Sequence, residues 1–244
     1  MKYWKYILVL LLIVCTVIGF FAIGSAHNSL EDRIISYTAD PRTQDLKFYW
    51  KDDREDILHS FSRLKQFTES HREKLVFAMN GGMFTPSHAP QGLYIENGQL
   101  LASLDTTAGQ GNFYLKPNGV FYLTTDRQAV ICTTDQFSND GQVQYATQSG
   151  PMLLMDGEYH PALKKGSTNL HIRNGVGILP DGRVVFALSK TEINFYDLAS
   201  FFKDLGCEQA LYLDGFVSRM YLPEKDWRQL DGDFGVMIGV TKPE

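Results

Sequence analysis

Residues 80–84 read Asn-Gly-Gly-Met-Phe, directly after the apolar run Leu75-Val76-Phe77-Ala78-Met79. The run has the length and composition of a buried strand. Paired glycines at its end mark a place where the backbone needs freedom or where something approaches it closely. Asn80 then stands at the exit of a rigid element, which can hold its amide toward a ligand. Later segments repeat the design. Ile172-Arg173-Asn174-Gly175-Val176-Gly177 and Leu211-Tyr212-Leu213-Asp214-Gly215-Phe216-Val217-Ser218 each set an apolar stretch beside a charged residue and a glycine. Gln148-Ser149-Gly150-Pro151 adds a polar turn before Met152-Leu153-Leu154-Met155. Strand ends carrying Asn, Arg and Asp imply one polar site on a sheet scaffold.

The rest of the chain supplies that scaffold. Strands are expected at 34–37, 46–50 and 75–79. Asp56 to Ser70 places Ile57, Leu58, Phe61, Leu64 and Phe67 on one helical face. From Gly92 onward the pattern is hairpins. Asn97-Gly98, Pro117-Asn118-Gly119, Asp156-Gly157 and Asp181-Gly182 each separate apolar runs. A second helix starts at Asn194, a capping residue, with Asp197 in its first turn and Gly206 closing it. Strands follow at 210–213, 220–222 and 234–240. The expectation is an α+β fold: a mixed, largely antiparallel sheet with helices packed against it, in one domain over 27–244.

Residues 1–26 read as a targeting segment. Lys2 and Lys5 precede an uncharged apolar run from Ile7 to Ile23, and Gly24-Ser25-Ala26 offers small residues for cleavage. A cleaved signal and an uncleaved membrane anchor both fit, the anchor slightly better. Either way the positive end stays inside and the domain is expected outside the cytoplasm, membrane-anchored or released. The net charge of −5, without long runs, disfavours nucleic-acid binding by phosphate neutralisation. The exported part has Cys132 and Cys207, which could form one disulfide in an oxidising compartment but sit in apolar contexts that favour two buried free thiols. No Cys/His cluster has zinc spacing, so no metal or other cofactor is expected.

Taken together, the motifs at 80–84, 148–153, 172–177 and 212–215 resemble the phosphodiester glycosidase family, whose best-known reaction removes N-acetylglucosamine from a phosphodiester. Their order and spacing match over roughly residues 70–241, and the overall look is that of a bacterial exported branch. Two departures stand out. The family's arginine motif often reads Arg-Thr-Ala, here Arg173-Asn174-Gly175, and Phe216 and Val217 intervene between Asp214-Gly215 and Ser218.

The resemblance implies hydrolysis of a sugar-1-phosphodiester, releasing free sugar and a phosphomonoester. Ordinary glycosidases use two carboxylates, one to protonate a poor leaving group. A phosphomonoester has a second pKa of about 6 and leaves readily. One carboxylate, one cation and fixed dipoles then suffice. Arg173 is the candidate phosphate ligand, gripping two oxygens with its planar fork. Asp214 is the candidate nucleophile, oxocarbenium stabiliser or water base. Asn80 is placed on sugar hydroxyls or a phosphate oxygen, and Gly81 and Gly82 in a small anion nest. Ser149, Gly150, Asn174, Gly215 and Ser218 are expected to line the site. His171 shares a strand face with Arg173 and is either a proton carrier or a histidine bonded to a neighbour. His88 and Asp105 are weaker candidates in the loops after the first motif. The implied partner is a phosphorylated glycan or sugar-1-phosphodiester in the envelope. The competing reading is a weakly catalytic or non-catalytic binding module for such a polymer.

Overall fold

The structure, a computed structural model, describes residues 30–214 and 217–244. The leader reading of 1–26, and Gly215 and Phe216, lie outside the described residues. The chain divides at Arg33. Of the first unit, the described part is Leu30 and one 3-10 turn, Glu31–Arg33. The second unit, Ile34–Glu244, carries the sheets.

Three antiparallel sheets surround one core. The first sheet has the order β1 (Ile34–Ala39), β12 (Val184–Ser189), β11 (Asn174–Ile178), β13 (Gln209–Tyr212), β9 (Met152–Met155) and β10 (Glu158–Tyr159). The second runs β15 (Trp227–Arg228), β14 (Met220–Leu222), β3 (Glu73–Gly82), β16 (Val236–Pro243) and β2 (Asp45–Tyr49). The third runs β5 (Gln99–Ala102), β4 (Tyr94–Glu96), β8 (Val143–Ser149), β6 (Gly119–Thr124) and β7 (Ala129–Thr133). Every described pairing is antiparallel, so the expected single mixed sheet is corrected to three sheets without parallel pairs. Aromatic rings join them inside. Phe77 meets Phe186 at 5.1 Å, Phe48 meets Phe121 at 5.4 Å, and Phe121 meets Phe186 at 5.9 Å. Each pair bridges two sheets. Such contacts contribute about 0.5–1.5 kcal/mol apiece beyond area burial.

Among the described residues are two α-helices, each covering an outer sheet face. α1 (Phe61–Ser70) packs Phe61 and Leu64 against Leu75, Ala78 and Met237 of the second sheet. It starts at Phe61 rather than the expected Asp56, because Ser60 caps it (Arg63 N to Ser60 Oγ, 3.3 Å) while Ile57 bridges back to Lys51. α2 (Phe195–Asp204) is capped by Asn194, whose Oδ1 accepts from Asp197 N at 2.8 Å. Gly206 follows it with φ +83°. These are the residues that the sequence singled out for start and stop.

The hairpin around Asn97-Gly98 is present, with φ of 51° and 76° at the two turn residues. Those around Asp156-Gly157 and Asp181-Gly182 are present too. The one expected around Pro117-Asn118-Gly119 is not. Phe113 lies in a 3-10 turn, and β6 instead pairs with β7 across Asp126-Arg127. β3 also runs on through Asn80, Gly81 and Gly82 instead of stopping at Met79.

Candidate functional site

Interior strands of the first and second sheets, β11 and β3, are joined through two buried amides. Asn174 Nδ2 donates to the carbonyl (2.9 Å) and to Oδ1 (3.0 Å) of Asn80. Both residues are fully buried. Around this pair the backbone of Asp214 is held at both ends. Its N–H donates to Asn174 Oδ1 at 2.8 Å. Its carbonyl accepts from Asn80 Nδ2 at 3.2 Å and from Ser218 Oγ at 2.6 Å. Ser149, at the end of β8 in the third sheet, donates its hydroxyl to the carbonyl of Leu213. Residues from all three sheets therefore fix the Leu213–Asp214 segment. This is the arrangement that holds a carboxylate to one position rather than letting it sample many.

Asn80, Asn174, Ser149, Ser218 and Asp214 are thus brought together. Their roles differ from expectation in one respect. Asn80 Oδ1 also accepts from Arg219 N at 2.9 Å, so both oxygen lone pairs are used within the protein. Asn174 is equally committed. Both amides position Asp214 instead of facing a sugar.

Arg173 takes the opposite side of the chain. Consecutive residues of an extended strand point to opposite faces. Asn174 points into the seam, so Arg173 lies beneath the start of α2. Its guanidinium carbon sits 3.6 Å from the centroid of the Phe195 ring and 5.6 Å from that of Tyr212. Nε donates to Ile193 O at 2.9 Å, and Nη2 to Asn169 O (3.0 Å) and Oδ1 (3.1 Å). Each of these partners is neutral. The whole residue is buried, and Nη1 has no hydrogen-bond partner. Burial pushes its pKa below the ordinary arginine value, and Tyr212 opposes the shift. Along β13, Leu211 and Leu213 both face the core. In this structure Nε and Nη2 of the expected fork are engaged within the protein. With Nε and Nη2 engaged, the donor left for a guest is Nη1 alone.

The glycines act through close packing. A Cβ on Gly81 would stand 2.6 Å from Ile238 Cγ1, and one on Gly82 2.4 Å from Thr147 Oγ1. Both lie within β3, so the anion nest is replaced by a tight strand contact. A Cβ on Gly150 would meet Asn118 Cβ at 2.6 Å and Phe113 O at 2.8 Å. A Cβ on Gly177 would meet Phe202 of α2 at 2.6 Å, which explains why the arginine motif carries small residues on its helix-facing side. His171 exchanges backbone hydrogen bonds with Ile193, at 3.1 and 2.9 Å, and is exposed. Asp105 is occupied by its own loop. It accepts from Thr107 Oγ1 (2.6 Å), Thr107 N (2.8 Å) and Tyr114 Oη (3.0 Å), and the Thr107 hydroxyl bond leads the lowering of its pKa. Cys132 and Cys207 are free thiols, raised by burial to pKa values of about 11 and about 12.

Several residues of the site escape motif reading. Asn169, Ile193 and Phe195 cradle Arg173 beside Tyr212 of the 212–215 motif, and Arg219 closes the node at Asn80. The aromatics look like core in the sequence. Arg219, directly after Ser218, carries the only local signal.

These features define a class before they define a chemistry: a three-sheet antiparallel fold whose sequence motifs meet at one seam. A family model described as phosphodiester glycosidase matches residues 73–239, and the chain belongs to that family. A relative from Escherichia coli (strain K12), "Uncharacterized protein YigE", is 39% identical over 211 residues, covering 85% of this chain and 82% of the relative. The fold is shared with the catalytic domain of zebrafish N-acetylglucosamine-1-phosphodiester alpha-N-acetylglucosaminidase, auto-inhibited by its pro-peptide. The TM-score is 0.55 at 14% identity, over 89% of this chain and 94% of that one. A putative exported protein from Burkholderia pseudomallei K96243 gives 0.54 at 12% identity, over 85% of this chain and 73% of that one. Family membership makes the chain glycosidase-like, and these distant structures speak for the fold alone.

Proposed function

We propose that this protein is an exported hydrolase that cleaves sugar-1-phosphodiester linkages in envelope or extracellular glycans. The observation that carries the reading is Arg173, a buried guanidinium with no carboxylate beside it among the described ion pairs and one nitrogen, Nη1, without a hydrogen-bond partner. A buried charge without an opposite charge beside it costs stability even when neutral groups solvate it. Proteins retain one where a guest of opposite charge completes it. The family reaction supplies such a guest, a phosphodiester.

In the reaction the C1–O bond to phosphate breaks and its electron pair leaves on the phosphate oxygen. Water supplies the oxygen that ends on C1. Arg173 would steady the anionic leaving group. Asp214, held at both backbone ends, would act at the sugar side, either on C1 or on the attacking water. A phosphomonoester leaving group removes the need for a second, proton-donating carboxylate. The domain's place outside the cytoplasm rests on Lys2, Lys5 and the apolar run after them.

The test is a screen of α-linked sugar-1-phosphodiesters with the full-length chain, beside aryl glycosides of the same sugars that lack phosphate. Turnover of phosphodiesters is expected. Arg173→Ala should lower kcat/KM on the phosphodiester tenfold to over a hundredfold, the effect of about 1.5–3 kcal/mol of charge-assisted contact. The aryl glycoside should lose much less. Equal losses on both would remove Arg173 from the phosphate. Saturable binding of phosphorylated glycan without turnover would make the protein a binding module instead.

A further inference from the structure

A second polar cluster stands where β3 and β16 end. These strands are paired neighbours, with Gly82 opposite Val236. The loop leaving β3 therefore lies beside the loop entering β16. The first carries His88, the second Asp233. The stretch before α1 adds His59, tied in by Phe234 N donating to His59 O at 2.7 Å. Asp233 Oδ1 lies 3.0 Å from His59 Nδ1 and 2.8 Å from His88 Nε2. The three donor atoms all fall within 4.8 Å of one another.

We propose that His59, His88 and Asp233 bind a divalent transition-metal ion of the zinc class. Zinc takes imidazole nitrogen and carboxylate oxygen at about 2.0–2.2 Å, which puts neighbouring tetrahedral ligands roughly 3.3 Å apart. Two of the three separations here are within about half an ångström of that. The side chain that must move is Asp233, the most exposed of the three at 70%. Three protein ligands leave a fourth position to water, so the site is open rather than sealed.

The ligands are also braced, as metal ligands are by their outer shell. His59 and His88 both hold left-handed backbone, with φ of 61° and 59°. Non-glycine residues adopt this rarely, and it persists where the surroundings fix it. The Phe84 ring stacks on His88, 5.1 Å between centroids and 16° between planes, and Trp50 Nε1 donates to His88 O at 2.9 Å. Phe84 is the last residue of the Asn80–Phe84 motif. A metal here would pin the loop after that motif to the loop before β16. The ligands lie 29 and 145 positions apart in the chain, so no spacing rule finds them. The site stands independently of the glycosidase reading.

The experiment uses the full-length chain in a non-chelating detergent, without a histidine tag. Zn²⁺ is titrated against a chromophoric chelator, and Co²⁺ binding is followed by its visible absorption. One equivalent per chain is expected, with a Co²⁺ spectrum of nitrogen and oxygen ligands. His59→Asn and His88→Asn, which keep a side chain tolerant of positive φ, should each raise the Zn²⁺ Kd more than about a hundredfold, since even outer-shell losses reach that range. Asp233→Asn should weaken binding by about tenfold or more, and His71→Asn should leave it unchanged. Circular dichroism confirms that each variant is folded. Absence of stoichiometric binding by the wild-type chain, or binding by all three ligand variants as tight as wild type, overturns the site.

Discussion

At the seam, Asn80 and Asn174 are fully buried and spend their amides on each other and on Asp214. At the end of β3 and β16, the side chains of His59, His88 and Asp233 keep 35, 21 and 70% of their surface and share one carboxylate oxygen. Both regions collect polar residues from distant stretches of chain, but only the second leaves them room. Buried amides that spend their hydrogen bonds on protein partners fix what they touch. Unsaturated donors are where a guest can enter, and Arg173 Nη1, on the other side of the chain from the seam, is one. The difference separates positioning from binding on physical grounds, and substitutions on each side test it.

The largest effect should come from the residue that the seam positions. Asp214→Asn keeps the backbone contacts that hold the segment but removes the charge. Turnover should fall by about a thousandfold or more, on phosphodiester and aryl glycoside alike, with the urea midpoint nearly unchanged. A loss below tenfold would place the chemistry on another group and leave the seam without a catalytic purpose.

Next comes the seam itself. Asn174→Ala strands the Asp214 N–H and removes the amide donor from the carbonyl and Oδ1 of Asn80, the latter keeping Arg219 N, in a dry interface. Each unmet buried group costs about 1–3 kcal/mol, so about 3 kcal/mol of stability should be lost by urea denaturation. Asp233→Asn, at the open cluster, should stay within about 0.5 kcal/mol under chelating conditions. Similar losses at both would erase the contrast.

Arg173→Met should move stability and activity apart. Replacing the guanidinium by an apolar chain removes a buried charge but leaves the buried Ile193 O without its donor, so a loss of about 1–3 kcal/mol, short of unfolding, is expected. The phosphodiester reaction should still fall tenfold to over a hundredfold. If Arg173→Met unfolds the chain, the guanidinium serves the fold through Ile193, Asn169 and Phe195 rather than a ligand.

Which parts were legible in sequence follows from the range of the interactions. Asn97-Gly98 and Asp156-Gly157 announce their hairpins because positive φ is a local demand that few residues meet. Asn194 announces α2 because its side chain caps a turn three residues away. The β6–β7 hairpin turns at Asp126-Arg127, with Arg127 itself at φ 63° and no glycine to mark it. Gly81 and Gly82 were read as a strand end because nothing nearby reveals Ile238 and Thr147 pressing on them. The site divides in the same way. Asn80, Arg173 and Asp214 were visible as polar residues beside strands. Their duties depend on partners such as Asp214 for Asn80, 134 positions away, which no local pattern encodes. The partition into three sheets is likewise set by pairings between remote strands.

The smallest expected effect is a pH slope next to the open cluster. Glu96, at the end of β4, is largely buried, and Tyr94 Oη donates to it. Burial raises its pKa from 4.5 to about 6, against the opposing hydrogen bonds of Tyr94 and of the Trp50 backbone. Trp50 is the residue whose indole also holds His88 O, so the acid lies behind the wall of the cluster. The folded chain binds this proton more tightly than the unfolded chain does. Its contribution to stability is therefore fully present below pH 4.5, is lost as pH rises through about 6, and is flat above. The difference of about 1.5 pK units corresponds to about 2 kcal/mol, the upper bound for a group that retains some solvent contact. Urea denaturation at steps between pH 4 and 7 should show this slope superposed on those of other groups. Glu96→Gln, which stays neutral at every pH, should flatten it and leave zinc titration at neutral pH unchanged. A Glu96→Gln variant with the wild-type slope would mean that Glu96 reaches solvent in the folded state, and that the wall behind His88 is more open than its packing implies.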